Sequence, residues 1–207
     1  LKIKAHFNCP HKRKRVDIIH LCQQFLKKSV LKNFVSIGKK MQIEKYIARL
    51  CEDEVAIFLF HGVIKKPVSS LRNYNRKHIS EKDFVELIKG LNVNGNPISM
   101  DHFLSGRDIP PKAFVITFDD GFENNFSVAA PILESFKIPA TFYITTGFIE
   151  NNVMSWVDQI EHAVSLTKLK EIKFFGSVFS LQTEEKKIAF LEFLRSKIKK
   201  SKNIFKN

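Results

Sequence analysis

Two adjacent carboxylates close an apolar run in this chain: Phe114-Val115-Ile116-Thr117-Phe118-Asp119-Asp120-Gly121. Aspartate is a poor strand residue, so a pair at a strand's end asks for a reason. Ligands and catalytic groups of α/β folds gather at the carboxyl ends of strands. A carboxylate placed there can take a proton from water, or it can hold a divalent cation. Adjacent strand residues point to opposite faces, but Gly121 lets the chain turn so that both aspartates can reach one pocket. A second apolar run, Val55-Ala56-Ile57-Phe58-Leu59-Phe60, ends in His61-Gly62. A histidine so placed can donate or accept a proton near neutral pH. Amide hydrolysis uses such parts: an activated water, support for the oxyanion, and a proton for the leaving amine. The plainer roles are an N-cap for Asp119-Asp120 and a structural hydrogen bond for His61. A nucleotide-binding strand would need a GxxxxGK[ST] loop, which the chain lacks. A phosphatase with an aspartyl nucleophile would need a second aspartate where Gly121 stands.

The elements that must position these groups can be read from pattern. Val55–Phe60 is a continuous apolar run, suited to a strand buried on both faces, and Lys112–Phe118 reads as a second strong strand. Ala140–Thr146 predicts a third strand. Ser80 caps a helix with acids in its first turn and Phe84, Leu87, Ile88 and Leu91 on its inner face. Residues 122–136 predict a helix with Phe126, Ala129, Ala130, Leu133 and Phe136 inward, kinked at Pro131. Residues 92–97 read as a turn and Ile98-Ser99-Met100 as a short strand. Trp156–Leu166 and a segment opened by Thr183 read as helices, with a hairpin around Gly176-Ser177 between them. Strands alternating with helices predict a parallel α/β sheet.

The net charge of +13 is unevenly spread. Residues 1–50 hold 13 Lys/Arg against 2 Asp/Glu, and the remainder is close to balanced. The catalytic part therefore needs no polyanionic substrate. Residues 1–16 read as a flexible basic arm, and residues 21–35 as a basic amphipathic helix that either packs on the domain or docks on an anionic membrane surface. Residues 1–52 are taken as a basic extension and residues 53–207 as the catalytic domain. Nucleic acid is not the expected partner. Cys9, Cys22 and Cys51 are too few and odd in number for a disulfide framework. No stretch is long and apolar enough to span a membrane, and no signal peptide is visible. A cytoplasmic or membrane-peripheral location is expected.

Leu59-Phe60-His61-Gly62-Val63, Thr117-Phe118-Asp119-Asp120-Gly121, Asn124-Asn125 and Ile138-Pro139-Ala140-Thr141-Phe142 together resemble the polysaccharide deacetylase family (NodB-like, chitin deacetylase-like) in its permuted-motif subgroup. The resemblance covers about residues 55–165. It implies a partial or distorted (β/α) barrel, here carrying a basic helical N-terminal extension. It implies metal-dependent hydrolysis of N-acetyl groups on a polysaccharide or glycoconjugate, with zinc as the divalent metal. Asp119 takes the position of the general base, Asp120 that of a metal ligand and His61 that of the acid. The family's downstream H(S/T)xxH pair has no counterpart, since His162 is the one histidine after Asp120. The later arginine motif is not recognisable either. The expectation is a chain that stops short of the second half of the site, binds metal weakly and turns over slowly or not at all. The alternative is an inactive carbohydrate- or partner-binding module. His78 and His102 are expected in loops or on the surface, and His162 in a structural role on a helix.

Overall fold

The computed structural model describes residues 3–5, 15–20, 54–66 and 71–200. The amphipathic segment 21–35, the three cysteines and the tetrabasic residues up to Lys14 lie outside the described residues. The chain divides into two compact units, one comprising Leu1–Pro67 and Asn75–Ile144, the other Val68–Tyr74 and Thr145–Asn207.

The first unit is built on a mostly parallel sheet. β1 (Ile3–Ala5) pairs antiparallel with β2 (Arg15–His20). β2 runs parallel to β3 (Glu54–Phe60), and β3 parallel to β7 (Ala113–Phe118). β6 (Asn96–Pro97) and β8 (Ala140–Phe142) share the other edge of β7, one at its start and one at its end. A separate parallel pair joins β4 (Gly62–Ile64) to β5 (His78–Ser80). The parallel α/β class thus holds, but among the described residues the sheet is open and closes no barrel. The basic arm expected over residues 1–16 contains β1 and the start of β2. A strand such as β3, apolar from Val55 to Phe60, needs a partner on each edge to satisfy its peptide groups. β2, with the β-branched Val16, Ile18 and Ile19, supplies the one on the side away from β7.

Both faces of β3 and β7 are covered, which explains their uninterrupted apolar sequence. Ala56, Phe58, Phe60, Phe114, Ile116 and Phe118 face one core; Val55, Ile57, Ala113 and Val115 face another. The first core is roofed by α1 (Glu81–Asn94), which presents Phe84, Leu87, Ile88 and Leu91 at helical spacing. Ser80 starts this helix as expected, its Oγ accepting from the Asp83 N–H at 3.1 Å. The second core takes Ile98 and Phe103 of the segment around α2 (Met100–Ser105), which Ser99 caps. Residues 98–100 are therefore not a strand: Ser99 ends the extended backbone by accepting from His102 N–H at 3.0 Å.

The helix after the aspartates differs in one respect from its expected form. A π-helical turn, Asn125–Ala129, runs into α3 (Ala130–Ser135), with Pro131 in the first turn where its missing N–H costs nothing. The wider turn shifts the inward face by about one residue. Asn125, Val128 and Ala129 are buried, while Phe126, expected inside, is 82% exposed.

The second unit holds α4 (Thr146–Glu150), α5 (Trp156–Leu166), the hairpin of β9 (Glu171–Phe174) and β10 (Ser177–Ser180), and α6 (Glu184–Lys200). Its core gathers Leu71, Val164, Leu181, Phe190 and Leu191. The turn at residues 71–75 is fastened to α6, since Arg195 Nη1 donates to Tyr74 Oη at 2.8 Å. Burial raises the Tyr74 pKa above its ordinary 10.0, and the Arg195 hydrogen bond and charge partly oppose this. A proton held more tightly in the folded state stabilises it below pH 10, and that stabilisation is lost as pH rises through the raised value. The wild-type minus Tyr74→Phe difference in tyrosinate absorbance is thus expected to rise above pH 10. A difference centred at or below pH 10 would show the phenol to be solvated.

Candidate active site

The three residues singled out by sequence stand at one end of the sheet. The ladder between β3 and β7 continues one step past Phe118, where the Asp119 N–H donates to the Phe60 carbonyl at 2.9 Å. The backbone then turns sharply. Asp120 and Gly121 both lie in the left-handed region, with φ of 72° and 68°. That conformation costs a non-glycine residue on the order of 1 kcal/mol, so Asp120 is held there by its surroundings. The turn ends the strand's alternation and carries Asp120 toward β3. Its Oδ2 lies 3.9 Å from His61 Nε2, with side chains 37% and 16% exposed. Asp119 is half-buried at the same strand end.

A buried amide helps fix the backbone around this pair. Asn125, 4% exposed, has its amide nitrogen 2.9 Å from the His61 carbonyl, to which it donates, and its amide oxygen 3.3 Å from the Phe122 nitrogen, from which it accepts. The far side of the turn is packed by the two residues that follow β8. The Tyr143 N–H donates to the Phe118 carbonyl at 2.8 Å, and a Cβ on Gly121 would meet Ile144 Cγ2 at 3.2 Å. Gly121 is thus demanded twice, by its positive φ and by the closeness of Ile144.

His78 corrects the expectation of a loop or surface place. It belongs to β5, in register with Gly62. Its ring packs edge-on against Phe122 at 4.8 Å, and its Nδ1 lies 3.3 Å from Asn124 Nδ2. The signal available in sequence was the glycine after His61 and the Asn124-Asn125 pair after the aspartates. Neither says what fills the space above a glycine. His102 stays outside the site on α2, with Nε2 2.8 Å from the Arg107 carbonyl. His162 lies on α5 of the second unit, its Nδ1 3.3 Å from Arg72 Nη1.

A catalytic zinc ion normally takes three protein ligands. The site brings together His61 and Asp120 as donors. Among the described residues no group of three His, Cys, Asp or Glu side chains gathers within reach of one ion. The described residues therefore do not by themselves make a complete metal centre. Nor is any helix among them long and apolar enough to cross a membrane.

No curated protein matches the chain. A solved structure of a de-N-acetylase from Aggregatibacter actinomycetemcomitans is similar at 18% identity with a TM-score of 0.39, over 68% of this chain and 51% of that one. The chain thus spans about half the length of that protein. The polysaccharide deacetylase family profile matches residues 106–173, a stretch that opens just before β7 and includes Asp119, Asp120 and Gly121.

Proposed function

We propose that this chain carries part of a carbohydrate deacetylase site, acting on N-acetyl groups of a polysaccharide or glycoconjugate. The observation that supports it is the meeting of His61 and Asp120 beside Asp119, at the carboxyl ends of β3 and β7. In this reading Asp119 is the general base. It takes a proton from a water that attacks the acetyl carbonyl. The tetrahedral intermediate collapses with cleavage of the C–N bond, and the sugar amine leaves with a proton given by His61. The acetate carries away the water's oxygen. Asp120 faces the imidazole, its Oδ2 3.9 Å from Nε2. Asp120 is also the carboxylate this reading assigns to a divalent ion, with zinc the expected one, and its further ligands are not among the described residues.

One observation favours a second reading, a carbohydrate- or partner-binding module without turnover: among the described residues no three candidate ligands gather around one ion. Acetate release from an N-acetylglucosamine oligomer, with and without added zinc or cobalt, separates the two. Slow release that added metal raises is the expected result. Binding of the oligomer without any release under either condition would leave the binding module as the reading.

A further inference from the structure

The space above Gly62 is filled from two directions. A Cβ on that residue would overlap the His78 ring at Nδ1 and Cε1 and also Asn124 Oδ1. Gly62 follows His61 directly, and Asn124 lies four residues beyond Asp120. His78 therefore sits between the segment that presents the candidate acid and the turn that presents the paired carboxylates. Its contacts reach both sides. On one it runs in register with Gly62 in the β4–β5 pair. On the other it packs on the Phe122 ring at 4.8 Å and faces the Asn124 amide at 3.3 Å. Lys77, its neighbour in sequence, holds the same Phe122 ring, with Nζ 4.7 Å from the centroid.

We propose that His78 is a positioning residue for this site, coupling the His61-Gly62 segment to the Asp120–Asn124 turn. The inference rests on the deacetylase reading only for its effect on turnover; the coupling itself is a matter of packing. The hydrogen bond does not depend on one arrangement of protons. With Nδ1 unprotonated, the Asn124 amide nitrogen donates to it. With Nδ1 protonated, rotation of the amide brings to it Oδ1, which is buried and has no hydrogen-bond partner as the side chain stands. Either way the ring keeps its hold on Asn124. The separation of His61 Nε2 from Asp120 Oδ2 is set by two backbone segments from strands far apart in sequence. Displacing one of them by about 1 Å costs on the order of a hundredfold in rate when the groups react together.

The test uses His78→Phe, which keeps a ring but has no hydrogen-bonding atom, and His78→Gln, which can still bond Asn124. Backbone amide spectra of the ¹⁵N-labelled 207-residue protein are recorded for each. In His78→Phe the amides of both His61-Gly62 and Asp120–Asn124 are expected to move, and His78→Gln is expected to bring them back toward wild type. Acetate release should fall about tenfold to a hundredfold in kcat for His78→Phe, with KM nearly unchanged, and recover in His78→Gln. Movement confined to Gly62 and its β5 neighbours, with Asp120–Asn124 in place, would overturn the coupling. Wild-type kcat in a folded His78→Phe protein would overturn it too, and would leave the deacetylase reading intact. Coupled amide movements in a protein that releases no acetate would sustain the positioning role and overturn the deacetylase reading instead.

Discussion

Asp119→Asn is expected to lower acetate release by about 10²–10⁴-fold, the usual contribution of a positioned general base. The amide is nearly the same size as the carboxylate and cannot take a proton from water. The backbone bond from the Asp119 N–H to the Phe60 carbonyl, 2.9 Å long, does not involve the side chain. The fold should therefore survive, with an unfolding midpoint close to wild type. Asp120→Asn separates the two carboxylates by function. It removes the charge facing His61 at 3.9 Å, so its effect should include altered metal stimulation, which Asp119→Asn should leave in place. Turnover of Asp119→Asn within about threefold of wild type would remove the base assignment, because so small a loss is far below what general-base catalysis contributes. Steady-state release of acetate, read alongside thermal unfolding, decides it.

Phe118→Ala should have the largest effect on stability, about 3–5 kcal/mol. Phe118 is fully buried and is the last residue before the aspartates. It stacks on Phe60 at 5.3 Å and on Phe142 at 5.0 Å, and meets Phe84 edge-on at 5.9 Å. Those partners come from β3, β8 and α1, so removing the ring leaves a void no single neighbour can fill. The same truncation at Phe126, 82% exposed, should change stability by less than about 0.5 kcal/mol. Chemical denaturation of the two variants checks both figures. Equal losses would mean that the inward face of the 122–136 helix has been misplaced.

The contrast between these two phenylalanines shows what the sequence makes legible. β3 and β7 were readable because a strand covered on both faces is apolar at nearly every position, and their short length and β-branched and aromatic residues set them apart from a helix. α1 was readable because Ser80 and its following acids mark a start and Phe84, Leu87, Ile88 and Leu91 mark a face. His61, Asp119 and Asp120 were readable as a group because each ends such a strand. Phe126 was not, since a periodic pattern assumes a constant turn and the π-helical turn at Asn125–Ala129 changes it. The short strand β6 escaped for a related reason: its two residues are too few to show any alternation, and its place is set by which edge of β7 remains open. His78 escaped because its meaning lies in the space over Gly62, sixteen residues away.

β7 has consequences for how this chain acquires its structure. Its three partners come from residues 54–60, 96–97 and 140–142, so the middle of the sheet is assembled entirely from contacts distant along the chain. Such contacts form slowly, because each must close a long loop before it gains anything. During synthesis β3 and α1 emerge well before β7. Phe58, Phe60 and Phe84 then have no strand to pack against until Phe114 and Phe118 leave the ribosome. A nascent chain arrested between residues 100 and 112 would therefore display an uncovered aromatic surface and an open strand edge, the state most prone to association with other chains. Release from that state comes with the segment that ends in the two aspartates.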